Sequence, residues 1–178
     1  MNESQGYPRL GAFTLEGYDK GRGVAWQAGW FMVQSVIFAA WWFPRRWRPA
    51  VLRAFGATVG ENVTIRHRVR VLWPWKLTIG NDTWIGEDAW LLNLEPISIG
   101  SDVCVSQGVF LCTGSHDRRS PNFRFKNGPI TVENGVWLAT QCLVLCGVTV
   151  GTRSVVGARA VATRDVPAAT ILRVGTVH

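Results

Sequence analysis

Apolar residues recur at every sixth position along most of the chain, from Val59 to Ala162. The column that this spacing predicts to face inward is Val59, Ile65, Val71, Ile79, Ile85, Leu91, Ile99, Val105, Leu111, Val132, Leu138, Val144, Val150, Val156 and Ala162. A second column of small or β-branched residues stands four positions further on, from Val63 to Ala160. A period of six fits neither an amphipathic helix nor an alternating strand, and a β-sandwich would show irregular hairpin signals. It is typical of a β-solenoid, in which three short strands form each triangular coil and the coils stack.

Glycine often follows the apolar residue of a hexapeptide, at Gly60, Gly80, Gly86, Gly100, Gly151 and Gly157. Because each coil must turn sharply at its corners and glycine adopts positive φ without steric cost, we expect these glycines to occupy left-handed corners. The register slips by two residues after Val71 and again after Leu91. Three hexapeptides therefore make one coil of about eighteen residues, and the insertions collect at one corner.

One long interruption of the repeat runs from Thr113 to Pro129 and reads TGSHDRRSPNFRFKNGP. It is polar, contains proline and glycine, and carries His116. The other two histidines are placed differently, since His67 lies among arginines in the first coil and His178 is the last residue. Loops mounted on a rigid scaffold commonly carry binding and catalytic residues, so we expect the functional site at this interruption.

The first 58 residues differ in character and include a stretch without charge, VAWQAGWFMVQSVIFAAWWF at 24–43, followed by PRRWRP. Three interpretations compete: a helix packed on the flank or end of the solenoid, an interfacial helix with Arg45, Arg46 and Arg48 over anionic headgroups, and a membrane span. Because solenoids need capped ends, the first is favoured. The predicted organisation is an N-terminal helical cap at 1–58, a hexapeptide β-helix at 59–166 with a loop inserted at 113–129, and a C-terminal tail at 167–178.

Composition narrows the choice of partners. Charged residues make up only 17% of the chain, yet the formal net charge is +7. This balance suits a membrane surface or a phosphate-bearing ligand, and no nucleic-acid-binding signature accompanies it. The cysteines form no CxxC pair and are predicted to be free structural thiols rather than disulfides or zinc ligands. They are Cys104, Cys112, Cys142 and Cys146.

Four segments together resemble one family: LRAFGATVGENVTI at 52–65, WPWKLTIGNDTWIGEDAWLLNLEPISIG at 73–100, VSQGVFLCTGSHD at 105–117 and GVWLATQCLVLCGVTVG at 135–151. They are similar to the hexapeptide-repeat O-acetyltransferases, in particular to the colanic acid biosynthesis branch, and LCTGSHD is the most specific of the motifs. The resemblance implies a left-handed parallel β-helix, a homotrimer with active sites between neighbouring subunits, acetyl-coenzyme A as co-substrate, and no metal. The hand comes from the resemblance alone, because left-handed crossovers depart from the usual rule.

Transfer of an acetyl group from a thioester to a sugar hydroxyl requires a base that removes the hydroxyl proton, and histidine suits this task near neutral pH. The resemblance assigns the catalytic role to His116. It also implies that Asn93, in AWLLNLE, lies across the cleft and holds the acceptor hydroxyl or the reacting centre. The alternative for Asn93 is a turn residue at the end of a coil. Asp117 either orients His116 or stabilises the loop, and its adjacency in sequence favours the loop turn.

The resemblance implies further contacts with coenzyme A at Trp137, Thr140, Ala158, Thr163 and Arg164. Trp137 precedes the inward-facing Leu138, so its indole is expected to point outward as an apolar platform. The other four match positions that line the pantetheine and phosphate track. The contacts there are implied to come from backbone amides near Gly157 and Ala158 and from the basic side chain of Arg164, which suits phosphate groups. Relatives usually continue after the DVP motif at 165–167 with a segment resembling VAGNPAR, whereas this sequence reads AATILRVGTVH.

We therefore predict an acetyl-coenzyme A-dependent O-acetyltransferase that modifies a sugar hydroxyl during exopolysaccharide biosynthesis of the colanic acid type. Its expected location is the cytoplasm, and the lipid-linked precursors of such pathways give the N-terminal segment a reason to contact the inner membrane. Two other functions are left open: a xenobiotic acetyltransferase of the chloramphenicol type, and a non-catalytic solenoid scaffold. A γ-class carbonic anhydrase would need three zinc-binding histidines, and the predicted solenoid offers only His67 and His116.

Overall fold

A computed structural model describes residues 7–15 and 17–174, and their main element is a parallel β-solenoid. Three short strands make one coil, five coils follow one another, and the last strand begins a sixth. The strands are β1 Thr58–Val59, β2 Thr64–Ile65, β3 Arg70–Val71, β4 Leu77–Ile79, β5 Trp84–Ile85, β6 Trp90–Leu92, β7 Ile97–Ile99, β8 Cys104–Val105, β9 Phe110–Cys112, β10 Ile130–Val132, β11 Trp137–Leu138, β12 Leu143–Val144, β13 Thr149–Val150, β14 Val155–Val156, β15 Val161–Ala162 and β16 Ile171–Leu172.

Strands from equivalent positions in successive coils pair in parallel and form three sheets. The sheets have the orders β1-β4-β7-β10-β13, β16-β14-β11-β8-β5-β2 and β15-β12-β9-β6-β3. The pairing register stacks each residue of the six-residue column on its counterpart, for example Ile65 on Ile85 and Ile85 on Val105. Every residue of that column is buried, as is every small residue of the second column. The predicted solenoid and both inward-facing columns are therefore confirmed.

The corners turn in a way that the sequence analysis did not foresee. None of the six glycines expected in left-handed corners has positive φ; that conformation falls two residues later, at positions such as Asn62, Asp82 and Arg153. The six glycines are needed for another reason, namely the close approach of the next coil. A Cβ on Gly80 would lie 2.6 Å from the carbonyl carbon of Gly100. The expectation was wrong because the backbone separation between coils, rather than φ, excludes a side chain at these positions.

Replacement of Gly86 with alanine is expected to destabilise the fold by about 1–3 kcal/mol, since the new methyl group would lie 2.6 Å from the carbonyl carbon of Ser106. Chemical denaturation at fixed protein concentration measures the change. Gly11→Ala serves as the control, because a Cβ at Gly11 meets nothing within 4 Å. Equal stabilities of the two variants would contradict the proposed role of coil approach.

The N-terminal segment packs against the first coil of the solenoid. It contains α1 Val24–Val33, a π-helical turn at Gln34–Phe38 and α2 Arg48–Ala54. Trp30 and Phe38 are fully buried; the Trp30 indole Nε1 donates to the Val71 carbonyl at 2.9 Å, and the Gln34 side chain accepts from the Val71 amide. These contacts agree with the first of the three interpretations, a helix packed on the solenoid. Within residues 7–15 and 17–174, no helix is long and apolar enough to cross a membrane.

Candidate functional site

The segment that interrupts the repeat forms a short hairpin between β9 and β10. His116 and Phe125 pair in an antiparallel bridge, and the Asp117 amide donates to the Arg124 carbonyl at 2.9 Å. Next to this bridge, the Lys126 amide donates to the Ser115 carbonyl at 2.8 Å. The backbone on both sides of His116 is thereby fixed, so the loop presents the histidine from a defined position.

The tautomer of His116 follows from its hydrogen bond. Its Nδ1 atom lies 2.8 Å from the backbone carbonyl oxygen of Phe123. A carbonyl oxygen can only accept, so in the neutral ring Nδ1 carries the proton and Nε2 carries the free lone pair. His116 is half-buried, and its hydrogen bond to Phe123 fixes the orientation of the ring. Nε2 is therefore the ring nitrogen that can accept a proton.

Three phenylalanine rings surround the imidazole, and we call Phe13, Phe123 and Phe125 the aromatic box. Phe123 stacks on His116 with 4.4 Å between ring centroids and 5° between the planes. Phe125 stacks at 4.9 Å, and Phe13 meets the ring edge-on at 5.4 Å. Packing against these three rings holds the plane of the imidazole.

Phe13 reaches the loop because the chain before α1 runs across it. The Arg9 amide donates to the Pro121 carbonyl at 2.9 Å, and the Trp73 indole donates to the Tyr18 hydroxyl at 2.5 Å. Tyr18 also packs against Phe125, and its burial raises its pKa above the ordinary value. The sequence alone did not predict that this segment forms part of the site. The spacing of Phe123 and Phe125 in NFRFKN was the nearest signal, but the backbone of Phe123 has a left-handed φ of 51°, so alternation along an extended strand does not place the two rings.

A cleft of about 650 Å³ opens beside the histidine and is rich in positive charge. It is lined by Ser115, His116, Asp117, Arg118, Arg119, Lys126 and Cys146. The carboxylate of Asp117 accepts from the Arg119 amide at 3.0 Å and lies 3.6 Å from the guanidinium of Arg124, so it stabilises the loop turn. The remaining field of the cleft is positive and suits an anionic ligand.

Asn93 is outside this cleft and is fully buried. Its Oδ1 accepts from the Trp73 amide at 2.9 Å, and its Nδ2 donates to the Trp73 carbonyl at 2.5 Å. In this position the side chain holds the backbone at the corner of the neighbouring coil. This agrees with the alternative stated above, a turn residue at the end of a coil. Contact with an acceptor would require the side chain to leave these bonds, so that role stays a prediction.

Trp137 and Thr140 lie on the outer surface at and after β11. The Trp137 indole is 51% exposed, as its outward direction predicted, and its Nε1 donates to the Ser106 hydroxyl at 3.0 Å. Thr140 donates to the Gln107 carbonyl at 3.0 Å. Ala158 is also exposed, but the amide of Gly157 before it is bonded to the Leu172 carbonyl. That amide is therefore not available to a phosphate in this conformation.

Thr163 and Arg164 line a second crevice, of about 380 Å³, between β15 and β16. Both side chains are exposed, and the lining residues of this crevice are separate from those of the His116 cleft. Strand β16 lies within the segment 167–178 that the sequence analysis assigned to a tail, and it pairs with β14. His178, which the sequence analysis set aside as a catalytic candidate, falls outside the described residues.

The four cysteines are free thiols, as predicted. Cys142 belongs to the buried second column, and burial raises its pKa to about 12. Such a thiol acts as a small apolar side chain. No group of three or more histidine, cysteine, aspartate or glutamate side chains that could hold a metal ion is present in the described part of the chain.

Comparison with known proteins gives the family. No protein-family model matches the chain. The chain is 43% identical over 168 residues to the Escherichia coli K12 protein named "Putative colanic acid biosynthesis acetyltransferase WcaF", covering 92% of this chain and 91% of that protein. It is 29% identical over 123 residues to galactoside O-acetyltransferase of E. coli K12, covering 67% and 61%.

Among solved structures, the chain superposes on the hexapeptide-repeat acetyltransferase VCA0836 of Vibrio cholerae O1 biovar eltor, complexed with acetyl coenzyme A. The TM-score is 0.78 over 90% of this chain and 89% of the other, at 25% identity. The predicted fold class, a left-handed parallel β-helix with an N-terminal helical segment, is confirmed. With its identity to the E. coli relative over nearly its whole length, the chain belongs to the hexapeptide-repeat acetyltransferases, in the branch of the colanic acid biosynthesis acetyltransferases.

Proposed function

We propose that this acetyltransferase moves the acetyl group of acetyl-coenzyme A to a sugar hydroxyl of an exopolysaccharide precursor of the colanic acid type. The observation that carries the proposal is the His116 ring, whose Nδ1–H bond to Phe123 leaves Nε2 basic beside a cationic cleft. The name of the E. coli relative supports a role in polysaccharide biosynthesis, and the V. cholerae structure, which holds acetyl coenzyme A, supports the choice of co-substrate.

The proposed reaction is a direct transfer without a covalent acyl-enzyme. His116 Nε2 removes the proton from the acceptor hydroxyl as its oxygen attacks the thioester carbonyl carbon. The new ester forms, the carbon–sulfur bond breaks, and the proton on His116 passes to the coenzyme A thiolate. Phe123 holds the plane of the imidazole from its stacked position.

Binding of coenzyme A is assigned to the residues that the family resemblance implies. The exposed indole of Trp137 offers an apolar platform, and Arg164 offers a cation to the phosphates from the crevice that it shares with Thr163. Thr140 and Ala158 lie between Trp137 and Arg164 in the sequence, and both are exposed. Asn93 contacts the acceptor in this proposal only if its side chain turns away from Trp73.

A homotrimer with active sites between subunits is part of the proposal, and the outer faces of the solenoid support it. The sheet that contains β11 carries an outward row of mostly apolar residues: Thr64, Trp84, Cys104, Trp137, Val155 and Ile171. The sheet that contains β9 carries a second such row: Arg70, whose guanidinium lies over the Trp90 ring, and then Trp90, Phe110, Leu143 and Val161. The third sheet carries only Thr58, Thr78, Ser98, Thr131 and Thr149. Two apolar faces require cover, whereas the polar face suits solvent.

Phe13 is a positioning residue in this mechanism, because it acts through His116. Phe13→Leu is expected to lower kcat by about 2- to 10-fold, the worth of its aromatic pair with His116, with the KM for acetyl-coenzyme A unchanged. Loss of its second pair, with Phe125, should lower the melting temperature slightly. Steady-state kinetics and thermal unfolding separate these quantities. Leu10→Ala, an exposed site in the same segment, is the control. A change confined to KM, or a loss of activity that follows the melting temperature, would refute the positioning role.

The proposed location is the cytoplasmic face of the inner membrane, where a lipid-linked acceptor would be presented.

Calorimetric titration of the whole chain with acetyl-coenzyme A tests the proposed function at its first step, the binding of the co-substrate. Saturable binding of one ligand per chain is the expected result. Absence of binding would instead favour a non-catalytic scaffold.

A further inference from the structure

An exposed cluster of tryptophan and arginine side chains lies between the helices of the N-terminal segment. Its members are Trp41, Trp42, Arg45, Arg46 and Trp47, and we call it the Trp–Arg surface. The three indoles are 80%, 56% and 54% exposed, respectively. Tryptophan is a large apolar side chain, and several exposed together at one place mark a surface that binds a partner.

The backbone under this surface is firmly tied to the solenoid. The buried guanidinium of Arg48 donates to the Phe38 carbonyl at 2.9 Å and to the Ala40 carbonyl at 2.6 Å. The Arg68 amide of the first coil donates to the Ala39 carbonyl at 2.8 Å. The indoles are therefore exposed because the fold holds them outward, and not because the segment lacks contacts.

The charge of the surface is positive and unbalanced. Arg45 lines three crevices: one of about 430 Å³ that it shares with Arg46, one of about 380 Å³ that it shares with Trp41 and Trp42, and one of about 530 Å³ that also contains Glu87. No acidic residue lines the first two crevices, and Glu87 in the third is paired with Arg66 at 2.6 Å. Neither Arg45 nor Arg46 forms a salt bridge within residues 7–15 and 17–174. The crevices suit phosphate groups, which arginine binds through paired hydrogen bonds.

We infer that the Trp–Arg surface docks the protein on an anionic lipid bilayer. Indoles take positions at the level of the headgroups, and neighbouring arginines bind lipid phosphates. A second copy of the chain in a two-fold contact is a poor occupant, since that contact would bring Arg45 and Arg46 against themselves. The inference deepens the proposed function, on which it rests for its biological sense, because docking would bring the enzyme to a lipid-linked acceptor.

Co-sedimentation with vesicles tests the inference. The probes are phosphatidylcholine vesicles with and without phosphatidylglycerol, added to the whole chain without acetyl-coenzyme A. We expect binding to the anionic vesicles, weakened by salt. Arg46→Glu should weaken it about 25-fold, that is about fivefold for each unit of charge. Trp41→Ser should weaken binding to the same vesicles without changing the oligomeric state measured by light scattering.

The matched control is Arg153→Glu, which makes the same change of charge at an exposed solenoid corner. Equal weakening by this variant would show a general effect of net charge and overturn the inference. No binding to anionic vesicles, equal binding to neutral ones, or dissociation of the assembly by Trp41→Ser would also overturn it. Acetylation of a soluble saccharide is measured separately, so that a failure of the proposed function is distinguished from a failure of docking.

Discussion

Replacement of His116 with alanine is expected to lower acetyl transfer by about 10²- to 10⁴-fold, the usual contribution of a general base. The reason is that Nε2 is the basic atom that the Nδ1–Phe123 hydrogen bond leaves free at the cleft. The hairpin around it is held by backbone bonds that do not involve the imidazole, so the fold should survive the change. Initial rates at saturating acetyl-coenzyme A measure the effect.

His67→Ala is the matched control for this experiment. His67 lies 3.6 Å from a carboxylate oxygen of Glu87 in the first two coils, away from the residues that line the His116 cleft. Its variant should transfer acetyl at the normal rate. Size-exclusion chromatography should give the same assembly for both variants. Transfer at the wild-type rate by His116→Ala would remove the basis of the proposed mechanism.

Trp30→Ala is expected to lower the free energy of unfolding by about 3–5 kcal/mol, more than the other substitutions proposed here. Trp30 is fully buried between α1 and the solenoid, and its loss leaves both a cavity and a Val71 carbonyl without its indole donor. The free energy of unfolding in urea, at one protein concentration, measures the change.

Met32→Ala, two positions along the same helix, is the control for Trp30→Ala. Met32 is 69% exposed, so its variant should stay within about 0.5 kcal/mol of the unchanged protein. Similar losses from the two changes would mean that α1 does not pack as the structure shows. A concentration-dependent difference would point to a subunit contact instead.

The interior of the solenoid could be predicted from the sequence because each coil repeats the same local requirement. Val71, Leu91 and Leu111 occupy equivalent positions in three coils, and each must be apolar since it packs on the next. The same regularity made the interruption visible, and with it His116. Repetition thus provided independent evidence from each coil for one structural rule.

Contacts that occur once in the fold could not be predicted in this way. Phe13 meets His116 across more than one hundred residues of sequence, and nothing near Phe13 indicates that partner. The buried state of Asn93 likewise depends on Trp73 in the preceding coil. The glycine corners show a third limit, because Gly80 is explained by the distance between coils and not by its own φ.

Transfer of labelled acetyl from acetyl-coenzyme A to a panel of acceptors tests the central claim most directly. The panel contains free sugars, nucleotide sugars, lipid-linked oligosaccharides and chloramphenicol. The proposed function predicts a labelled ester on a saccharide hydroxyl, with the signal lost in His116→Ala and absent from chloramphenicol. Label on chloramphenicol alone, or on none of the acceptors, would contradict it.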